Sequence, residues 1–130
     1  MTRASSSGTR VFVYGTLLSG EPNHHLLRGA RLVGQAQTLP RFTLYDYGPF
    51  PSLASKGKHA VAGEVYEVDA SMLAALDRLE GHPRFYERTS IALDDAGRVE
   101  AYLFPKGRLA GRPIIESGCW RRHLQERKPW

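Results

Sequence analysis

The 130-residue chain carries 42% hydrophobic and 24% charged residues, a balance that excludes disorder, coiled coil and collagen and leaves room for one hydrophobic core without staples. Its single cysteine, Cys119, rules out an internal disulfide framework and fits a reducing compartment. No apolar run approaches the ~18 residues of a membrane span, and the net charge of +5 comes without a nucleic-acid-binding motif, so it reads as a solvated basic face.

Residues 1–9 read as a disordered tail without the apolar stretch of a secretory signal, and 10–130 as a single domain. Arg10–Tyr14 alternates and is rich in β-formers, predicting a strand that runs into a turn at Gly15. His24–Leu27 is a short apolar run long enough for one or two helical turns. Arg31–Leu39 and Arg41–Tyr47 predict two more strands on either side of Pro40. Tyr47–Leu53 contains two prolines, which remove two ladder donors, so it is expected to be an irregular loop.

Ala60–Val68 is the clearest strand. Asp69 is placed to N-cap a helix over Ala70–Glu80, and Gly81 to end it. Met72, Leu73, Leu76 and Leu79 recur at helical spacing and predict a buried stripe. Tyr86–Leu93 and Arg98–Phe104 are expected strands joined by a hairpin turn at Asp94–Gly97. Ser117 is a candidate cap for a last short helix containing Trp120 and Leu124. With no βαβ alternation and no repeat, the fold class expected is α+β: a small mixed β-barrel of about six short strands with one or two flanking helices.

Two places carry chemistry. In Tyr14-Gly15-Thr16-Leu17 a strand ends in a turn whose successive N–H groups could converge on an anion or a carbonyl oxygen, because glycine tolerates positive φ and has no Cβ to block a ligand; taken alone, the four residues favour an ordinary strand-end turn. Glu80 occupies the last helical turn, where the macrodipole disfavours a negative charge. It reads either as a surface glutamate paired with Arg84 or Arg88, or as a carboxyl whose pKa burial and dipole raise toward proton-shuttle range. Other constellations fail. His24 and His25 are adjacent with no metal-ligand partner at suitable spacing, and no phosphate-binding loop, nucleophile elbow or dinucleotide fingerprint occurs. Most of tyrosines 45, 47, 66, 86 and 102 are expected in the core or a cavity wall.

Together, Val11–Leu17, Pro49-Phe50-Pro51, Val61–Tyr66, Leu76–Gly81 and Phe85–Arg88 form an ordered set that resembles the γ-glutamylcyclotransferase-like superfamily over about residues 10 to 125. Gly20–His24 and the Glu-Gly-x-Pro-x-x-Tyr arrangement look most like its γ-glutamylamine cyclotransferase branch. Leu18-Ser19 departs from a basic residue often found there. The resemblance implies a cytoplasmic enzyme that converts a γ-glutamyl amine or amide to 5-oxoproline and free amine, with no metal or organic cofactor. It implies Glu80 as catalytic acid/base; Tyr14, Gly15, Thr16 and Leu17 as the loop holding the γ-glutamyl group; and Pro49, Phe50, Pro51 and Tyr86 as pocket walls. The partner implied is a small-molecule γ-glutamyl substrate, not nucleic acid or membrane. The alternative is a non-catalytic small-molecule-binding module of the same fold. The amine half of the substrate and the oligomeric state stay open.

Overall fold

Valine and phenylalanine at 11–13 are buried on both faces of their strand, which therefore sits in the middle of a sheet rather than at its edge. In the computed structural model, which describes residues 8–93, 97–104 and 106–127, this strand is β1 (Thr9–Val13). It begins one residue ahead of the expected start; residues 1–7 of the expected tail lie outside the described residues. The other strands are β2 (Arg31–Gln37), β3 (Phe42–Asp46), β4 (Pro51–His59), β5 (Ala62–Val68), β6 (Glu87–Ala92) and β7 (Arg98–Leu103). Five of them form a mixed sheet in the order β2-β5-β1-β7-β6, in which β1 is antiparallel to β5 and parallel to β7. The β6–β7 hairpin is closed by Leu93 N–H donating to the Gly97 carbonyl at 2.8 Å, while residues 94–96 of the expected turn lie outside the described residues.

Strands β3 and β4 form a separate two-stranded sheet. Here the expected loop over Tyr47–Leu53 is too long. Strand β4 starts at Pro51 itself, a first-residue position where the missing N–H costs no ladder bond. The class is α+β as expected, with seven strands among the described residues rather than about six. The two sheets do not close on themselves, so the barrel description holds only loosely.

Helix α1 (Ala70–Glu80) has the predicted bounds. The Asp69 carboxylate accepts the Met72 N–H at 2.8 Å, and Gly81 sits in the left-handed region at φ 68°. Of the expected stripe, Leu76 is fully buried and Met72 and Leu73 pack against the core, but Leu79 is 40% exposed. Helix α2 (Trp120–Arg127) buries Trp120. Ser117 accepts the Cys119 N–H just ahead of this helix instead of capping its first turn. His24–Leu27 is a single 3-10 turn. One cluster of buried side chains runs from Val11 and Phe12 through Leu44 and Leu53 of the small sheet to Leu76 and Trp120 on the helices. Among the described residues no helix is long and apolar enough to cross a membrane.

Candidate active site

After β1 the chain turns through Gly15–Ser19. Leu18 N–H donates back to the Gly15 carbonyl at 3.0 Å, and Thr16 is held from outside by Asn23, whose backbone N–H and side-chain amide reach the Thr16 carbonyl and hydroxyl at 2.9 and 3.0 Å. The Leu17 carbonyl lies 2.9 Å from His24 Nδ1. The loop's carbonyls are thus occupied. Its N–H groups at Gly15, Thr16 and Leu17 have no acceptor among the described residues. Such a run of unpaired donors is suited to an anion or a developing oxyanion. Gly15 is required for a different reason than the one expected: its φ is not positive, but an added Cβ would lie 2.5 Å from Pro51 Cγ. The loop and the start of β4 are in contact there, and only hydrogen fits between them.

Across from the loop, α1 ends in a Schellman turn, with His82 N–H donating to Asp77 and Gly81 N–H to Arg78. The chain then doubles back so that Tyr86 N–H meets the Glu80 carbonyl at 3.1 Å. This turn sets the Glu80 side chain beside Tyr86 in the wall of a cavity of about 260 Å³, below the ~300–1,000 Å³ of drug-sized ligand sites. Tyr14, Gly15, Thr16 and Leu17 line the same cavity, as do Phe50, Pro51 and Tyr86. Pro49, by contrast, is exposed on the preceding bend and is not among the residues that line the cavity.

Burial pushes the Glu80 carboxyl up from 4.5 to about 7, and the helix C-terminus acts in the same direction. Among the described residues its carboxylate has no hydrogen-bond or ion-pair partner. The tyrosines around it explain why. Tyr14 donates to the Tyr102 carbonyl at 2.5 Å, Tyr86 to the Pro51 carbonyl at 2.8 Å, and Tyr102 to Asp77 at 2.6 Å. The protons of these three hydroxyls are thereby committed elsewhere. Burial first, with the Glu80 charge adding, raises the titration of all three. The surface pairing of Glu80 with Arg84 or Arg88 is not formed: Arg88 lies 3.0 Å from Asp77 and 3.2 Å from Glu100.

Two supports were invisible in the sequence. Asp77, one turn before Glu80, joins Tyr102 of β7 and Arg88 of β6, fixing the end of α1 against the main sheet. Glu64 on β5, only 4% exposed, accepts the backbone N–H and hydroxyl of Ser19 at 2.9 and 2.8 Å and the Tyr66 hydroxyl at 3.1 Å. Arg121 of α2 completes this clamp by bonding the Ser19 carbonyl and hydroxyl. Polar residues on a strand give no signal of such use, because their partners are 45 and 57 positions away. Arg122, His123 and Arg127 of the basic segment likewise reach Glu126, Asp46 and Asp46. Among the described residues no group of three His, Cys, Asp or Glu side chains could hold a metal ion.

The profile of the Gamma-glutamyl cyclotransferase, AIG2-like family matches residues 11–122. A Vibrio cholerae protein provisionally named a gamma-glutamylcyclotransferase is 43% identical over 110 residues, covering 85% of this chain and 93% of its own. The Bos taurus gamma-glutamylaminecyclotransferase is 42% identical over 107 residues, 72% of this chain and 63% of its own. The crystal structure of a Mus musculus AIG2-like protein superposes with a TM-score of 0.69 at 31% identity, covering 85% of this chain and 87% of that one.

Proposed function

The chain belongs to the gamma-glutamyl cyclotransferase, AIG2-like family, and from that premise we propose that it cyclises the γ-glutamyl end of an amide to 5-oxoproline and releases the free amine. The substrate holds its nucleophile and electrophile in one chain. Folding that chain into near-attack geometry supplies much of the rate, since effective molarities reach ~10⁵–10⁸ M. Glu80 takes a proton from the α-ammonium; the freed amine attacks the γ-carbonyl carbon and forms the ring C–N bond. The tetrahedral oxyanion collapses, the original amide C–N bond breaks, the departing nitrogen takes the proton back from Glu80, and the second proton shed by the ring nitrogen passes to the released amine, which leaves as its ammonium. No water is consumed.

The observation that carries this reading is one carboxyl without a protein partner, raised to about 7, facing a cavity it shares with three unpaired backbone N–H groups. A carboxyl raised this far matches an amine better than an ordinary carboxylate does, which lowers the cost of moving a proton from the α-ammonium and back to the departing nitrogen. The loop N–H groups donate to the developing oxyanion or to the α-carboxylate.

The test is to incubate the protein with a γ-glutamyl amide and quantify 5-oxoproline. Glu80→Gln, which keeps the shape and removes the shuttle, should lose at least ~10²–10⁴ in turnover while folding normally. Full turnover by that variant would remove Glu80 from the mechanism. No 5-oxoproline from any γ-glutamyl amide would favour the binding-module reading.

A further inference from the structure

A second cavity, of about 250 Å³, shares no lining residue with the Glu80 site. It follows β6, the last strand of the main sheet, and is bounded across from it by Leu39, Arg41 and Phe42 at the approach to β3 and by Ser55 of β4. The hairpin register leaves backbone donors on the open side of β6. Leu93 N–H points into the hairpin, to the Gly97 carbonyl at 2.8 Å, while Arg88 N–H leaves it for His82 Nδ1 at 2.9 Å. Alternation along the strand then turns the Ser90 N–H away from β7, as it does that of Arg88.

The polar groups along this edge are donors. Ser90 uses its acceptors on Arg98: its hydroxyl oxygen accepts from Nε and its carbonyl from Nη2, each at 2.9 Å. The guanidinium is thereby held in place with Nη1 still to give. Arg41 and Ser55 add a second guanidinium and a hydroxyl, and among the described residues no Asp or Glu lines the cavity. Beneath the donors lies carbon, from Phe42, Ile91 and Leu103, none more than 7% exposed. Paired guanidinium groups call for an anion. A bare phosphate would meet the donors and leave the apolar floor wet, whereas a hydrocarbon would strip water from the donors and return nothing. A carboxylate on an apolar body satisfies both. A volume below the ~300–1,000 Å³ of drug-sized sites limits that body to about one ring.

We propose that this cavity is a second ligand site, which takes a small monocarboxylate with an aryl or branched alkyl body, its carboxylate between Arg98 and Arg41 and its carbon over Phe42, Ile91 and Leu103. The experiment titrates the isotope-labelled full chain with phenylacetate, phenylacetamide and inorganic phosphate, and follows the backbone N–H resonances. Phenylacetate should move those of Ser55, Thr89–Ala92 and Arg98. The neutral amide and phosphate should each bind at least about tenfold more weakly, since each forfeits one half of the site. Arg98→Gln and Arg41→Gln, both at exposed positions, should each weaken phenylacetate about tenfold or more, the equivalent of one charge-assisted hydrogen bond. Resonances far from the cavity should stay in place in both variants, which shows that the fold is kept. Phenylacetate that moves only the Gly15–Leu17 resonances has bound in the Glu80 cavity instead, and that result overturns the proposal. Undiminished binding by the double variant, equal binding of phenylacetamide or phosphate, or no shift at all overturns it as well.

Discussion

Ser19 gives both its backbone N–H and its hydroxyl to one carboxylate, that of Glu64, at 2.9 and 2.8 Å. Burial works to raise the Glu64 carboxyl, but the two Ser19 bonds, the Tyr66 hydroxyl and the charge of Arg121 outweigh it and hold the pKa below its ordinary range. The clamp anchors the far end of the Tyr14–Leu17 loop while leaving its N–H groups free. Glu64→Ala should therefore weaken substrate binding more than chemistry. We expect KM to rise about tenfold, the equivalent of one charge-assisted hydrogen bond, with kcat changed less, and stability in urea to fall by about 2–3 kcal/mol. A loss confined to kcat with KM unmoved would contradict the anchoring role.

Glu80 makes an opposite contribution to stability. Its carboxyl is pushed up to about 7 from an ordinary 4.5 by burial. Below the ordinary value it is protonated in both folded and unfolded chains, so it costs nothing. Between the two values the unfolded chain ionises first, and folding is increasingly disfavoured; above about 7 the penalty is constant. Glu80→Gln should consequently be more stable than the natural chain by about 2 kcal/mol near pH 8, allowing for cavity water that offsets part of the full shift, and equal to it near pH 4. Urea unfolding at the two pH values measures this. In the active protein, the ascending limb of kcat/KM against pH should have its midpoint near 7. Equal stabilities near pH 8 would mean that the carboxylate is well solvated and not the shuttle described.

What the sequence could reveal follows the range of the interactions. Helix α1 was legible to the residue because both of its ends are set locally, by the Asp69 side chain and the left-handed Gly81. Glu80 was legible as a carboxylate on the wrong end of a helix, with the family resemblance supplying its chemistry. Strand β4 was not: its first four residues are buried without alternation and Ser55–Lys58 are all exposed, a pattern that a two-stranded ribbon packed into the core at one end produces and period-two reasoning misses. Pro49 and Pro51 look equivalent in sequence, yet only Pro51 enters the β3–β4 pairing, opposite Asp46, and lines the cavity. Asp77, Glu64 and Arg121 gain their roles from partners that topology alone brings near.

Gly15→Ala isolates the contact between the loop and β4. The added methyl would sit 2.5 and 2.7 Å from Pro51 Cγ and Cδ, so either the loop or the cavity wall must shift. Because φ at Gly15 is not positive, backbone strain adds nothing and the effect is steric alone. Overpacking of this kind costs about 1–3 kcal/mol, and a displacement of about 1 Å near the reacting atoms lowers turnover on the order of 10²-fold. The double variant Gly15→Ala with Pro51→Ala should recover much of both losses, since it removes the colliding ring atoms. Failure of the second substitution to restore anything would place the cause elsewhere.

Helix α2 is docked by acids. Arg121 reaches Glu64, while His123 and Arg127 both reach Asp46, at 2.7 and 3.3 Å. For Asp46, as for Glu64, burial works upward but is outweighed, here by the His123 and Gly48 hydrogen bonds and the Arg127 charge, so both carboxyls lie below their ordinary values of 3.8 and 4.5. Depressed acids stabilise the fold above their ordinary values and lose that contribution as pH falls through the lowered ones. Acid should therefore release α2 below about pH 4 before the β-sheet core opens, as a local unfolding event. Trp120, the buried first residue of α2, is the reporter, with Trp130→Phe leaving it as the sole tryptophan. Its emission should shift to the red below about pH 4 while the far-ultraviolet signal of the sheet persists, and Asp46→Asn should remove part of that pH dependence. Because Arg121 also holds Ser19, substrate affinity should fall over the same interval. Coincident loss of Trp120 burial and sheet signal would instead make α2 part of one cooperative unit with the core.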